Sequence, residues 1–184
     1  MARRFPRVGL VLAIGTLLLQ PASEALARRR PASSETKRTA TLQFQLSLDQ
    51  TSYSPSDQIL ARFSLKNTGA QPVWVTKRLY LSAQETPPAH RDVFLEITSP
   101  SGTLLRSTYT HQTGFPKCDD FEQLDPGKEV AGEGQHNLRS YFELKEPGTY
   151  QVVAVYENVF GPEIGLETFQ GVVRSAPVTL TITQ

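Results

Sequence analysis

Cysteine occurs once in these 184 residues, at Cys118, so no disulfide can close within the chain. Histidine occurs three times, at His90, His111 and His136, and never as the spaced pair by which a helix offers two imidazoles to zinc. No serine stands in a nucleophile-elbow pattern, and no glycine-rich phosphate loop is present. No stretch of ten residues or more carries an apolar period of 3.6, which argues against helices. These absences leave no catalytic residue, no metal site and no cofactor to nominate. The remaining candidates for chemistry are thin. His111, Cys118, Asp119 and Asp120 fall in one stretch, but adjacent carboxylates on an extended chain point apart, and a structural metal wants four converging ligands. Such acids ordinarily bond to backbone amides of their own turn.

Long hydrophobic runs are also scarce. The chief one, Val8 to Leu19, has twelve residues, against roughly 20 for a bilayer span. Arg3, Arg4 and Arg7 precede it and Ala25-Leu26-Ala27 follows, the three-part layout of a secretory signal peptide covering residues 1–27. Pro6 and Arg7 interrupt a twin-arginine pattern, so the general export route is expected. The expected location is therefore periplasmic or extracellular, with no membrane span.

Net charge of one sign is small: 19 basic against 18 acidic residues. Its placement is uneven. Arg28, Arg29, Arg30, Lys37 and Arg38 crowd a flexible basic tail, residues 28–41, opposed only by Glu35. The tail suits either a solvated spacer or weak contact with an anionic surface. Residues 42–184 then hold 11 basic and 16 acidic residues, a net of −5. A folded part of that sign excludes nucleic acid as a partner, because phosphate contacts need a basic surface.

What the chain does have is alternation. Leu42 to Leu48 alternates strictly, as does Ile59 to Leu65. Val73 to Leu81, Val93 to Ile97, and Leu104 to Tyr109 read as further strands. Glu129 to Asn137 reads as an edge or bulged strand because of Gly132 and Gly134, and Val172 to Ile182 as one interrupted by Pro177. The clearest segment is Glu146-Pro147-Gly148-Thr149-Tyr150, a turn that delivers Tyr150, Val152, Ala154 and Tyr156 to one face. There a tyrosine hydroxyl can bond back to the turn. Turn residues every 10–15 positions complete the pattern of an all-β chain, a single immunoglobulin-like antiparallel β-sandwich of about seven or eight strands over residues 42–184.

Three stretches carry a resemblance: Lys66-Asn67-Thr68-Gly69-Ala70-Gln71-Pro72-Val73-Trp74-Val75, Leu124-Asp125-Pro126-Gly127-Lys128-Glu129, and Leu138 to Leu144 running into Pro147-Gly148-Thr149-Tyr150. The last two resemble the sandwich domain that precedes the catalytic part of deuterolysin-type metalloproteases. The Asn…Pro-Val and Pro-Gly-Thr-Tyr pieces are similar to bacterial intracellular proteinase-inhibitor sandwiches. The resemblance implies an immunoglobulin-like fold. It brings no protease activity, since no catalytic zinc motif follows, and an export signal does not suit an intracellular inhibitor. Val152 stands where antibody domains place a cysteine.

The expectation for function is a non-enzymatic exported module that binds another protein, with a protease inhibitor and a carbohydrate-binding module as alternatives. The candidate contact residues are Phe160, Ile164, Leu166 and Phe169, apolar side chains on the long connection before the last strands. They serve either as anchors of their own loop or as a partner-facing patch. Trp74 is expected as a core plug, or alternatively as a platform for sugar stacking. Cys118 has three fates in an oxidising compartment: buried, free, or joined to another chain by an intermolecular disulfide.

Overall fold

A computed structural model describes residues 41–109 and 114–184. The expected signal peptide, nearly all of the basic tail, and His111 lie outside the described residues. Among the described residues eleven strands form, eight of them four residues or longer: β1 (Leu42–Leu48), β2 (Ser52–Tyr53), β3 (Leu60–Asn67), β4 (Val73–Thr76), β5 (Val93–Thr98), β6 (Phe121–Leu124), β7 (Glu129–Ala131), β8 (His136–Asn137), β9 (Gly148–Asn158), β10 (Gly171–Arg174) and β11 (Val178–Ile182). The chain is all-β and its sheets pack as a sandwich, as the alternation predicts.

In one sheet, β1 pairs antiparallel with β3, and β7 and β8 pair with the other edge of β3. In the other, β9 is the spine. It carries β5 along one edge and β10 followed by β11 along the opposite edge, with β2 running parallel to β11. A separate two-stranded ribbon joins β4 to β6. The period of two places Phe44 and Phe63 from the first sheet against Tyr156 from the second. Phe44 lies 6.0 Å from Phe63 and 5.9 Å from Tyr156, ring centre to ring centre. Leu95, Ile97, Tyr150, Val152, Ala154 and Leu180 close the same core, each essentially inaccessible to solvent.

Two polar residues hold the frame where a ladder fails. Pro177 has no N–H to give, and the last strand breaks into β10 and β11 around it. Buried Ser175 repairs the gap: its amide donates to the Ala154 carbonyl at 2.8 Å, and its hydroxyl accepts from the Ala154 amide at 3.0 Å. Asn67 is fully buried and stitches two turns together. Its Nδ2 donates to the carbonyls of Gln71 and Leu124, both at 2.8 Å, while its Oδ1 accepts from the Gly69 amide at 2.9 Å. Its own carbonyl takes the Gly127 amide at 2.8 Å. Two of the three motif stretches thus meet at one asparagine.

The tyrosine corner forms as the sequence implies. Tyr150 is buried and its hydroxyl donates to the Glu146 carbonyl at 2.7 Å. Gly148, between them, has φ +134°, and a Cβ there would come within 2.8 Å of Pro100. Only glycine fits both demands.

Strand β6 is absent from the sequence expectation, and three expected strands differ in extent. β4 ends at Thr76 rather than near Leu81, because Arg78 turns inward to a buried carboxylate and Leu79 adopts φ +47°. The stretch from Leu104 meets β5 by a single bridge, Thr98 to Leu104, with the Leu105 amide on the Ile97 carbonyl. The strand expected over 129–137 divides into β7 and β8 around Gly132 and Gly134. Among the described residues no helix is long and apolar enough to cross a membrane.

Candidate functional site

Three connections meet beside the β9 terminus: residues 77–92 between β4 and β5, residues 114–120 before β6, and residues 159–170 between β9 and β10. Each is held by a specific polar residue, which is how irregular backbone satisfies its donors and acceptors.

Arg78 holds the first two together. Its guanidinium takes Asp92 in a fork, Nε to Oδ2 at 3.0 Å and Nη2 to Oδ1 at 2.8 Å. Its Nη1 donates to the Gly114 carbonyl at 3.1 Å and lies 3.6 Å from Asp120 Oδ2. Asp92 is buried. Burial pushes its carboxyl up from the usual range, and the Arg78 hydrogen bonds oppose that shift. Arg91 makes a second, parallel clasp. It pairs with Glu157 on β9, donates to the carbonyls of Gln84 and Thr86, and covers the Phe94 ring at 4.4 Å.

Asn158 closes the third connection. It is buried; its Nδ2 donates to the carbonyls of Phe160 (3.0 Å) and Phe169 (2.5 Å), and its Oδ1 accepts from the Phe160 amide at 3.2 Å. The Phe169 amide donates to the Trp74 carbonyl at 2.8 Å, so the loop is also fastened to β4.

Against that frame, the four candidate contact residues divide. Phe169 packs on the core, 6.2 Å from Tyr156, and acts as an anchor. Phe160 is half-buried and meets Phe115 edge-on at 6.3 Å. Ile164 and Leu166 are half-buried; the Ile164 carbonyl accepts from the Cys118 thiol at 3.4 Å. Cys118 itself is exposed. Asp120 accepts the Lys117 amide at 2.7 Å, the backbone role that a turn carboxylate ordinarily has. Trp74 is half-buried on the face opposite Val73 and Val75, which face the core, so it is not the core plug.

The residue that sequence reasoning missed is Phe115. It is 61 % exposed, the most exposed of the large apolar side chains among the described residues, and its ring sits 4.2 Å from His90 and 6.3 Å from Phe160. Val159, beside Phe160, is 41 % exposed. The only sequence signal for this is the Gly114-Phe115-Pro116 setting, which places an aromatic in an irregular connection without saying which way it turns. Elsewhere, His136 lies between Phe63 and Tyr141, and burial pulls its imidazole down. Among the described residues no three His, Cys, Asp or Glu side chains are arranged to hold a metal ion.

No family model matches the chain, and no curated protein matches it. Among solved structures, a β-glucosidase from Erythrobacter marinus is similar at 15 % identity with a TM-score of 0.35; the match covers 78 % of this chain and 15 % of that one.

Proposed function

We propose that the protein is an exported, non-enzymatic β-sandwich module that binds another protein through the loop end bearing Phe115, Val159 and Phe160. The observation that carries this reading is the presentation of Phe115. An aromatic ring 61 % exposed is ordinarily left to fold inward, yet here its loop is fixed by Arg78 and its edge by Phe160. Aromatics held rigidly at a surface give large contact area with little entropy to lose, which is the character of binding hot spots. Export rests on the signal-like residues 1–27. The non-enzymatic part rests on a sequence without a nucleophile and base pair in a recognisable pattern.

The test is affinity capture from the native cell envelope with the wild-type chain and Phe115→Ser, each with and without reductant. A partner kept by wild type and lost by the variant supports the reading. A partner released only by reductant moves the function to Cys118. Retention of nothing removes the proposal. The carbohydrate alternative draws on half-exposed Trp74, and a ligand-induced change in the fluorescence of this lone tryptophan would favour it.

A further inference from the structure

Charge at the loop end names the partner's chemistry. Residues 77–92, 114–120 and 159–170, together with Glu122 on β6 and Glu157 on β9 beside them, carry eight acidic and four basic residues, a net of −4, whereas all of residues 42–184 have a net of −5. Most of the excess acid of the folded part therefore lies in and beside these three connections. The cations there are largely committed already. Arg78 is bound to Asp92 and Arg91 to Glu157, both pairs mostly buried. That leaves Lys77 and Lys117 against Glu85, Asp119, Glu122, Glu163 and Glu167, all exposed, and half-buried Asp120, which lies 3.6 Å from Arg78. Glu163 accepts the Gly161 amide of its own turn at 2.7 Å.

Resting on the recognition reading above, we infer that this surface takes a cationic polypeptide segment, one with Lys or Arg flanking a single apolar anchor that docks on Phe115 and Phe160. Complementary potentials steer encounter and reject partners of like sign. A second copy of this chain would oppose one acidic patch with another and is disfavoured. An anionic lipid surface is disfavoured on the same ground, although the exposed aromatic alone would suit it. A neutral apolar partner would make no use of the acid. The cationic segment is the occupant that both features select.

The experiment uses the full exported chain and three dye-labelled synthetic 12-residue peptides, read by fluorescence anisotropy at low and at physiological salt. One peptide alternates Lys and Arg around a central Phe. The second replaces every Lys and Arg with Glu, and the third replaces the Phe with Gly. The variants are Phe115→Ser, the pair Asp119→Lys with Glu167→Lys, and a control pair Glu129→Lys with Glu133→Lys at exposed positions on β7 and in the bend that follows it. Circular dichroism verifies that each variant is folded. The expected result is binding of the first peptide alone, weakened about tenfold or more by Phe115→Ser and by the loop charge reversals, weakened by salt, and little changed by the control pair. Binding of the acidic twin through Phe115 would overturn the charge inference while leaving the recognition reading standing. Loss by the control pair equal to that of the loop pair would also overturn it, as would failure of every peptide to bind. Cationic binding that ignores Phe115→Ser would remove both readings at once.

Discussion

The hydroxyl of Tyr150 donates to the carbonyl of Glu146, four residues earlier, at 2.7 Å. One buried side chain thereby fixes the turn that launches β9, the strand on which the second sheet is assembled. Tyr150→Phe keeps the ring and deletes the donor, leaving the carbonyl of Glu146 without that partner. The expected loss is about 1–2 kcal/mol in urea unfolding, with the m-value unchanged.

Ser175→Ala should be comparably damaging for a different reason. It removes the acceptor for the Ala154 amide in the middle of β9, where water cannot substitute. An orphaned buried amide costs about 1–3 kcal/mol. Ser175→Thr keeps the hydroxyl, and recovery of stability in that variant would separate the hydrogen bond from packing.

Phe169 and Phe115 make a paired contrast. Phe169→Ala strips a ring from the core edge against Tyr156 and should lower stability by about 2 kcal/mol or more. Phe115→Ser removes an exposed ring and should leave stability within about 0.5 kcal/mol. Parallel thermal melts test both; equal losses would mean that Phe115 is part of the core.

Alkali should unfold the protein in a defined window. Burial pushes the Tyr53 phenol from 10.0 up to about 12, and it raises Tyr150 and Tyr156 in the same direction. A phenol whose folded value lies above its unfolded one contributes stability that is complete below pH 10 and lost as pH rises toward 12. Urea midpoints measured from pH 9 upward should therefore fall, and less steeply in Tyr53→Phe.

Removing Arg78 should do more than break one ion pair. Arg78→Met leaves buried Asp92 without its cation, with only the Tyr80 backbone bond remaining, and it frees the Gly114 carbonyl next to Phe115. A loss of about 3–5 kcal/mol is expected. Limited proteolysis should show cleavage within 114–120 before global unfolding; uniform susceptibility would mean that Arg78 does not fasten that segment.

The sequence was most informative where structure is local. Strict alternation from Leu42 to Leu48 and the Pro-Gly-Thr-Tyr turn each specify their geometry within a few residues. The extent of β4 was hidden because Val73 to Leu81 continues an apolar pattern, and only the Arg78–Asp92 pair, fourteen positions apart, takes the chain out of the sheet. β6 was missed because Phe-Glu-Gln-Leu has no alternation to read and its partner is β4, far back in the chain. The loop residues Phe160 and Phe169 were legible as apolar side chains needing a destination. Which of them anchors, and that Phe115 stays outside, depends on Asn158 and Arg78 contacts that no local pattern encodes.

The placement of β9 as the spine governs when this chain can fold. Its pairs with β5 join residues 53 to 63 positions apart, and its other partners, β10 and β11, follow it near the end of the chain. A hairpin of β1 and β3 can close early, but the second sheet has no template until residues 148–158 are available. Long-range pairing of this kind slows the search for the native state. Late commitment would suit the export proposed above, because a chain threaded across a membrane would cross before its strands had fixed their partners.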